Sequence, residues 1–353
     1  MAGRVATRFP CRSAALAVLT AGIAIAGAPH PAAAQAMRVR EHVEVRRVVV
    51  DVRVVDRRGD PVMGLAPADF RALVDGAPAA VESAEWVAGT APYAEGLTPE
   101  QAVAAGAQAA PPGRLVVLFF QSDFAQVRLA GLMQMKFRAI ELLAKLQPAD
   151  RVAVVSFDSH LRLRLDFTSD RASITAAIHR AILFGGEPGI APGPFPSLAA
   201  SFDAAAAARA ASPEAGLLVT ARALEALPGA KSLVFFGWGL GTKMGPWIWM
   251  GHSYGLAREA LLRARVSVFA IDVTDADYHD LEVGLQQVAA DTGGFYAKTN
   301  LFPGQAITRL EGALAGHYVL VLVRPEGPRG WHALTIALPG RTATVLAKPT
   351  FRD

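Results

Sequence analysis

Cysteine is nearly absent from this sequence. The only one, Cys11, lies within residues 1–36, which have the features of a secretory signal peptide described below. Once those residues are removed, the chain has no thiol, so the remaining protein forms no disulfide bond and performs no thiol chemistry. This absence excludes a disulfide-stabilised small domain and requires the fold to be stabilised by a buried core. The composition, which is 52% hydrophobic and 19% charged, favours such a core.

A strong charge of either sign is also missing. The formal net charge is +4, and three of the positive charges belong to Arg4, Arg8 and Arg12 in a segment that contains no acidic residue. Without that segment the formal charge falls to +1. A balanced chain of this kind lacks the basic surface that nucleic-acid binding requires, so we expect no nucleic-acid partner.

No apolar run in the sequence is long enough for an ordinary membrane span. The stretch from Ala14 to Ala26 follows the three arginines and is shorter than a spanning helix. Small residues from Ala32 to Ala36 then provide a signal-peptidase site, with cleavage after Ala34 or Ala36. We therefore predict an exported protein, periplasmic or secreted, without a membrane span after cleavage. The alternative is an uncleaved anchor that leaves the same domain outside the membrane.

The residues after the signal peptide predict a small β module over residues 37–90. The segment Val43–Val55 is rich in valine and alternates with charged residues, which favours a strand. A second short strand over Asp69–Gly76 closes in an Asp-Gly turn. Residues 91–113 are rich in alanine, proline and glycine, which predicts a linker.

Strand and helix patterns alternate over residues 114–316, apart from Gly185–Pro213, whose glycine, proline and alanine content predicts a surface insertion. A buried strand, Leu115–Phe120, precedes an amphipathic helix. Its buried face is predicted to carry Leu129, Leu132, Met133, Phe137, Ile140 and Leu143. Repetition of this pattern predicts an α/β fold with a doubly wound, mostly parallel sheet. Strand patterns return over residues 317–353, and we expect them to pair with the N-terminal module in a small β-sandwich.

Several stretches of the chain resemble the von Willebrand factor A (VWA) family, in particular exported bacterial proteins in which the domain follows a β segment. The resemblance rests on V-D-V-R-V-V-D-R-R-G-D-P-V-M-G-L-A-P-A-D-F at Val50–Phe70, R-L-V-V-L-F-F at Arg114–Phe120, D-R-V-A-V-V-S-F-D at Asp150–Asp158, D-F-T-S-D-R at Asp166–Arg171, V-S-V-F-A-I-D-V at Val266–Val273 and A-A-D-T-G-G-F-Y at Ala289–Tyr296. It covers roughly Val43–Val323 and implies a VWA-like, Rossmann-like fold with a function in adhesion or protein binding.

The resemblance also implies a metal-ion-dependent adhesion site, which this sequence does not preserve. The family places Asp-x-Ser-x-Ser after the first strand of the domain, whereas this chain has Gln121, Asp123 and Ala125 at those positions. The family's later aspartate falls at Gly237-Trp238. Mg²⁺ requires hard, preferably charged oxygen ligands, so we predict a degenerate site without a metal. The alternative is a Mg²⁺- or Mn²⁺-dependent site rebuilt around Asp123.

Two other motifs have plainer explanations. The run Gly237–Gly241 does not have the spacing of a dinucleotide-binding loop, so we predict a surface loop and no nucleotide cofactor. The acidic turn Asp272–Asp280 lacks the glycine and final glutamate of an EF-hand, so we expect a solvated loop with helix caps.

Aromatic residues cluster in the Gly-rich loop after the strand Ser232–Phe236. Trp238, Trp247 and Trp249 lie there without a helical or strand period that would bury them all. Tryptophan is favoured at binding hot spots, so we predict that these residues and Phe124 contact another protein. The tryptophans could instead fold back over the unused metal position. We therefore expect a non-enzymatic protein-binding or scaffold module, and a diverged hydrolase is the alternative from a different class.

Overall fold

The structure is a computed structural model, and it describes residues 46–88, 113–122, 128–183, 190–276, 278–300 and 303–353. These residues form a mixed α/β protein. The predicted signal peptide and nearly all of the predicted linker lie outside them. Among the described residues, no helix combines the length and the apolar character needed to cross a membrane.

The described strands and helices are numbered here in chain order. The strands are β1 (Arg47–Val55), β2 (Arg71–Val74), β3 (Ala77–Ala88), β4 (Leu115–Gln121), β5 (Arg151–Phe157), β6 (Leu161–Thr168), β7 (Lys231–Gly237), β8 (Thr242–Met244), β9 (Trp247–Trp249), β10 (Val266–Asp272), β11 (Tyr296–Lys298), β12 (Gly316–Val323), β13 (Trp331–Ala337), β14 (Thr344–Ala347) and β15 (Thr350–Arg352). The α-helices are α1 (Leu129–Lys145), α2 (Arg171–Leu183), α3 (Ala204–Arg209), α4 (Pro213–Glu225), α5 (Gly251–Arg263), α6 (Glu282–Asp291) and α7 (Pro303–Ala315).

The smaller of the two large sheets has six strands in the order β11-β10-β7-β4-β5-β6. All neighbouring pairs are parallel except β5–β6, so β6 is an antiparallel edge strand. Its central strands are uniformly apolar because helices cover both faces of the sheet. Alternate residues of β4 separate into two cores: Phe119 stacks on Phe235 at 4.9 Å on one face, and Phe120 stacks on Phe236 at 5.2 Å on the other.

The larger sheet has seven strands in the order β14-β1-β12-β3-β2-β13-β15, and every neighbouring pair is antiparallel. The prediction of a mostly parallel sheet is therefore only partly confirmed, because the largest sheet is antiparallel. Strands from both ends of the chain alternate in it. A core of its own lies on its inner face, where Tyr318 makes edge contacts with Phe70 and Trp86 at centroid distances of 5.4 and 5.0 Å.

This antiparallel sheet curls back on itself. Its edge strands, β14 and β15, are joined only by Lys348 and Pro349. The three steps from Ala347 to Thr350 span at most about 11 Å, so the adjoining ends of the two edge strands must lie close together. The backbone N–H of Leu334 on β13 also donates to the Pro349 carbonyl at 2.7 Å. The strands that were predicted to form a small β-sandwich thus lie in a single curled sheet.

The structure refines three further expectations about local structure. The twelve-residue strand β3, for which the sequence gave no bounds, pairs with β2 across the predicted Asp75-Gly76 turn, in which both residues have positive φ (51° and 82°). On α1, the buried residues include Leu132, Met135 and Leu142. The predicted face is wrong at Leu129, Met133 and Phe137, which are exposed, because apolar residues surround more of α1 than the sheet covers.

The segment Gly185–Pro213, expected to be a surface insertion, is the third case. Its described part begins at residue 190 and contributes Leu198, Ala207 and Ala210 to one of the cores. Small apolar residues in such a segment pack against α4 rather than remaining in solvent.

Candidate functional site

The candidate site lies at the carboxyl edge of the six-stranded sheet, where open α/β sheets place their ligands. Three neighbouring strands end there side by side: β4 at Gln121, β7 at Gly237 and β10 at Asp272. Gly237 pairs with Asp272 in the strand register, and Phe236 pairs with Phe120, one residue before Gln121. The sequence-predicted positions Gln121, Gly237 and Trp238 are therefore brought together at one edge.

Gln121 uses its amide oxygen to hold the turn after β7. Its Oε1 accepts hydrogen bonds from the backbone N–H groups of Trp238 at 2.9 Å and Gly239 at 3.3 Å. A Cβ added at Gly237 would lie 2.4 Å from this same oxygen. The neutral amide thus fills the space next to Gly237, and an aspartate there would require Gln121 to move.

The neighbouring polar group is also used within the protein. The Ser122 hydroxyl is buried and donates to the carbonyl of Ala181 at 2.9 Å, so it ties β4 to the end of α2. The remaining predicted positions, Asp123, Phe124 and Ala125, lie outside the described residues. Whether Asp123 rebuilds a metal site therefore stays a prediction, as does the expectation of a metal-free site.

Trp238 lies inside the protein. It is 4% exposed, and it packs against the first turn of α1, where a Cβ added at Gly131 would lie 2.8 Å from its Nε1. The Arg128 guanidinium lies 5.1 Å from its ring centroid. Of the three predicted contact tryptophans, this one has a side chain that is covered mostly by the protein itself.

Asp272 is a buried polar residue at this edge, although the sequence pattern placed it in a solvated turn. The acidic turn was expected to be solvated, but Asp272 is completely buried because its strand, β10, lies between β7 and β11. One carboxylate oxygen accepts from the Thr274 backbone N–H and hydroxyl at 2.9 and 2.7 Å. The other lies 2.8 Å from His279 Nε2 and 2.7 Å from the Tyr296 hydroxyl. The burial of Asp272 could have been predicted from its position as the last residue of the apolar strand β10.

Three groups of this network have the composition of a metal site. Ligand atoms of Asp272, His279 and Glu282 lie within 4.8 Å of one another. However, the Lys298 ammonium is 2.5 Å from Glu282 and supplies the positive charge that a cation would provide. Burial and the hydrogen bond to Asp272 raise the pKa of Tyr296 far above its usual range, so its hydroxyl stays protonated and acts as a donor. The arrangement is satisfied by the protein's own hydrogen bonds and charges.

Next to this network, the strands β8 and β9 form a hairpin, here called the tryptophan hairpin (Thr242–Trp249). It turns at Gly245-Pro246, and Gly245 has the positive φ of 61° that the first turn residue of a type II′ turn requires. Ile248 packs against the core on one face. On the other face Met244 pairs with Trp247, and Trp249 lies two residues further along the same strand. This second face carries three large apolar side chains.

These three side chains are exposed to solvent. Trp247 is 76% exposed, and Trp249 and Met244 are each 58% exposed. An ion pair between Lys243 and Asp280 links the hairpin to the loop after β10. Between them runs a groove whose lining includes Arg128, Trp238, Lys243, Thr274 and His279. The hairpin thus packs one face on the protein core and exposes apolar side chains on the other, which is typical of an interaction surface.

Comparisons with known proteins give distant structural likenesses. No protein-family model matches the sequence, and no curated protein matches it either. A von Willebrand factor type A structure from Catenulispora acidiphila is 10% identical, covering 88% of this chain and 74% of that one, with a TM-score of 0.40. The BatB protein from Bacteroides thetaiotaomicron is 16% identical, covering 56% of this chain and 97% of that one, with a TM-score of 0.37.

An aerotolerance-related membrane protein from Bacteroides fragilis is likewise similar to part of the chain. It is 15% identical, covering 56% of this chain and 98% of that one, with a TM-score of 0.36. Similarity at this level does not establish a family, and a shared fold does not by itself imply a shared function.

Proposed function

We propose that this chain is an exported, non-enzymatic protein of the VWA type that binds another protein through its tryptophan hairpin. Its smaller sheet would be the doubly wound sheet of that family, and the curled antiparallel sheet would support it. The observation that carries the proposal is the exposed hairpin face of Met244, Trp247 and Trp249. Tryptophan contributes disproportionately to binding energy when a partner buries it, and this face presents two of them next to each other.

We propose further that binding needs no metal ion. The support comes from the amide oxygen of Gln121, which accepts from the two backbone N–H groups of the β7 turn, and from the lack of room for a carboxylate at Gly237. Asp272 and Glu282 are compensated by protein donors and by Lys298. The contact with a partner would therefore be apolar, with Lys243 and Asp280 as polar groups at its rim.

Photo-crosslinking in the producing organism tests this proposal. A photoreactive phenylalanine analogue is placed at Trp247, and a matched control is placed at Trp331, which is 40% exposed on β13 of the other sheet. We expect a discrete adduct from position 247, lost when Trp249 is changed to Ala, and none from position 331. The same adducts from both positions would show that the hairpin has no special role.

The partner identified in this way allows a quantitative measurement. Each of Trp247→Ala and Trp249→Ala is expected to weaken binding by about 2 kcal/mol, roughly thirtyfold. Titration of the purified pair in EDTA and in Mg²⁺ should give the same dissociation constant. A dissociation constant that depends on Mg²⁺ would contradict the metal-independent mechanism while leaving the contact surface in place.

A further inference from the structure

The amino edge of the six-stranded sheet encloses a second polar site, unrelated to the hairpin. A cavity of about 80 Å³ lies there between the two large sheets, and it is called the basic cavity here. Its wall contains three arginines and a histidine: Arg53 from β1, Arg114 just before β4, Arg265 just before β10 and His317 from β12. Gly113, Gly316 and Ala88 contribute no bulky side chains to it.

Two of the three arginines are neutralised by carboxylates. Arg265 is bound to Asp51, with an Nε–Oδ2 distance of 2.9 Å, and Arg114 is bound to Asp150, with an Nε–Oδ1 distance of 2.8 Å. Both carboxylates are almost completely buried. Burial alone would raise the pKa of Asp51, but His317 and Arg265 beside it lower that pKa well below its usual range, so Asp51 stays ionised at neutral pH.

Arg53 is left as a buried cation without a carboxylate of its own. It is 5% exposed, and among the described residues its one hydrogen bond is from Nη1 to the Ser267 hydroxyl at 2.7 Å, with its guanidinium 5.5 Å from the Phe269 ring centroid. Guanidinium has five N–H donors, so most of them have no protein acceptor among the described residues. Burial lowers the pKa of Arg53 to about 10, which still leaves it charged at neutral pH.

His317 adds a weakly bonded atom to the same wall. Its Nε2 is buried and lies 3.4 Å from Asp51 Oδ1, which is long for a hydrogen bond. Burial lowers the pKa of His317, so the imidazole is neutral at pH 7 and able to donate one N–H. The three arginines, Asp51 and Asp150 together leave one excess positive charge at the cavity.

An uncompensated buried charge is costly, and a buried donor without an acceptor is costly too. Arginine suits oxyanions in particular, because its planar fork donates two parallel hydrogen bonds to a phosphate or carboxylate. The cavity is several times larger than the roughly 10–15 Å³ that a single water needs, so it has room for a small anion. We propose that the basic cavity binds a small oxyanion, for which inorganic phosphate is the reference ligand, with Arg53 as its principal donor.

The test uses the mature chain and compares phosphate with chloride at constant ionic strength. We expect phosphate to raise the melting temperature saturably and calorimetry to give one site per chain. Arg53→Met should abolish this response, whereas Arg57→Met, at an exposed arginine in the turn after β1, should leave it unchanged. Equal responses to phosphate and chloride, no saturation, or the same phosphate response in Arg53→Met would each overturn the proposal.

Stability without phosphate provides a second readout. Methionine has nearly the same length as the aliphatic part of arginine and carries no charge, so Arg53→Met should be at least as stable as the wild type in chloride and less stable in phosphate. A variant that is less stable in both salts by the same amount would mean that Arg53 has only a structural role.

Arg53→Lys keeps the positive charge but loses the planar guanidinium that donates two parallel hydrogen bonds. We expect this variant to bind phosphate at least tenfold more weakly. Unchanged binding would contradict recognition through paired guanidinium hydrogen bonds.

Discussion

The two edges of the six-stranded sheet are organised in opposite ways. At the carboxyl edge, where the sequence resembles a metal site, the polar groups are satisfied by the protein: Gln121 accepts from the β7 turn, and Asp272 accepts four hydrogen bonds. At the amino edge, where the sequence suggested no ligand site, Arg53 is buried with a single hydroxyl partner among the described residues. The resemblance in sequence and the buried charge with few protein partners therefore point to opposite edges of the same sheet.

The largest expected effect comes from removing the compensating charge at the amino edge. Asp51→Asn removes the carboxylate that binds Arg265 and lies beside the buried Arg53, which should cost about 3–5 kcal/mol of unfolding free energy, measured by urea denaturation at pH 7. The same variant should bind phosphate more tightly than the wild type, because the cavity gains positive charge. Tighter phosphate binding would support a ligand site at the amino edge that the carboxyl edge lacks. Unchanged phosphate binding would count against that difference between the two edges.

Asp51 should also make the folding stability of the protein depend on pH. The folded-state pKa of Asp51 lies below the unfolded-state value of 3.8, so its contribution is fully present above that value. Stability should fall as the pH decreases below 3.8, and this component should be missing in Asp51→Asn. Melts across the acidic range compare the two proteins, and parallel curves would contradict the ionised pair.

At the carboxyl edge, Asp272→Asn should cost about 2–3 kcal/mol, because it weakens hydrogen bonds that are made to a charged acceptor. Asp275→Asn is the matched control, since Asp275 is exposed on the same loop and its change should stay within about 0.5 kcal/mol. Urea denaturation measures both. Equal effects would mean that the Asp272 network does not organise this edge.

A smaller cost is expected from Gly237→Ala. The added methyl group would meet Gln121 Oε1 and Phe235 at 2.4 Å each, so we expect a loss of about 1–3 kcal/mol by overpacking. Gly255→Ala on α5 is the control, because its Cβ would meet no atom within 4 Å and helical alanine is favoured by about 1 kcal/mol. If Gly237→Ala is tolerated as well as the control, Gln121 does not fill that space.

The smallest expected effect is that of metal ions at the carboxyl edge. Melting curves in EDTA and in Mg²⁺ or Mn²⁺ should superimpose, because the described polar groups there are already satisfied. A shift of several degrees together with stoichiometric metal would show instead that Asp123 rebuilds the site. In that case the two edges would both be ligand sites, and the contrast between them would disappear.

The local order of elements followed from sequence pattern to a large extent. The apolar strand before Gln121, the valine-rich run before Asp56 and the Asp75-Gly76 turn were each readable because they use nearest-neighbour preferences. The bounds of β3 were not predicted, because its length depends on pairing with β12, a strand that is distant in sequence. The exposure of Met133 and Phe137 was also not predicted. Helical periodicity identifies the apolar residues of α1, but it does not specify how many of them the neighbouring elements will cover.

The sequence by itself determined the alternation of strands and helices, and it has Gln121 and Gly237 at positions where the resemblance to VWA domains implies acidic residues. Only the tertiary structure decided that Trp238 is covered while Trp247 is exposed, that Asp272 is buried, and that Arg53 faces a cavity beside Arg265. The reason is that burial and the pairing of charges depend on which strands lie next to each other. Arg53 and Ser267 are 214 positions apart in the chain, and only the packing of the two sheets brings them within 2.7 Å.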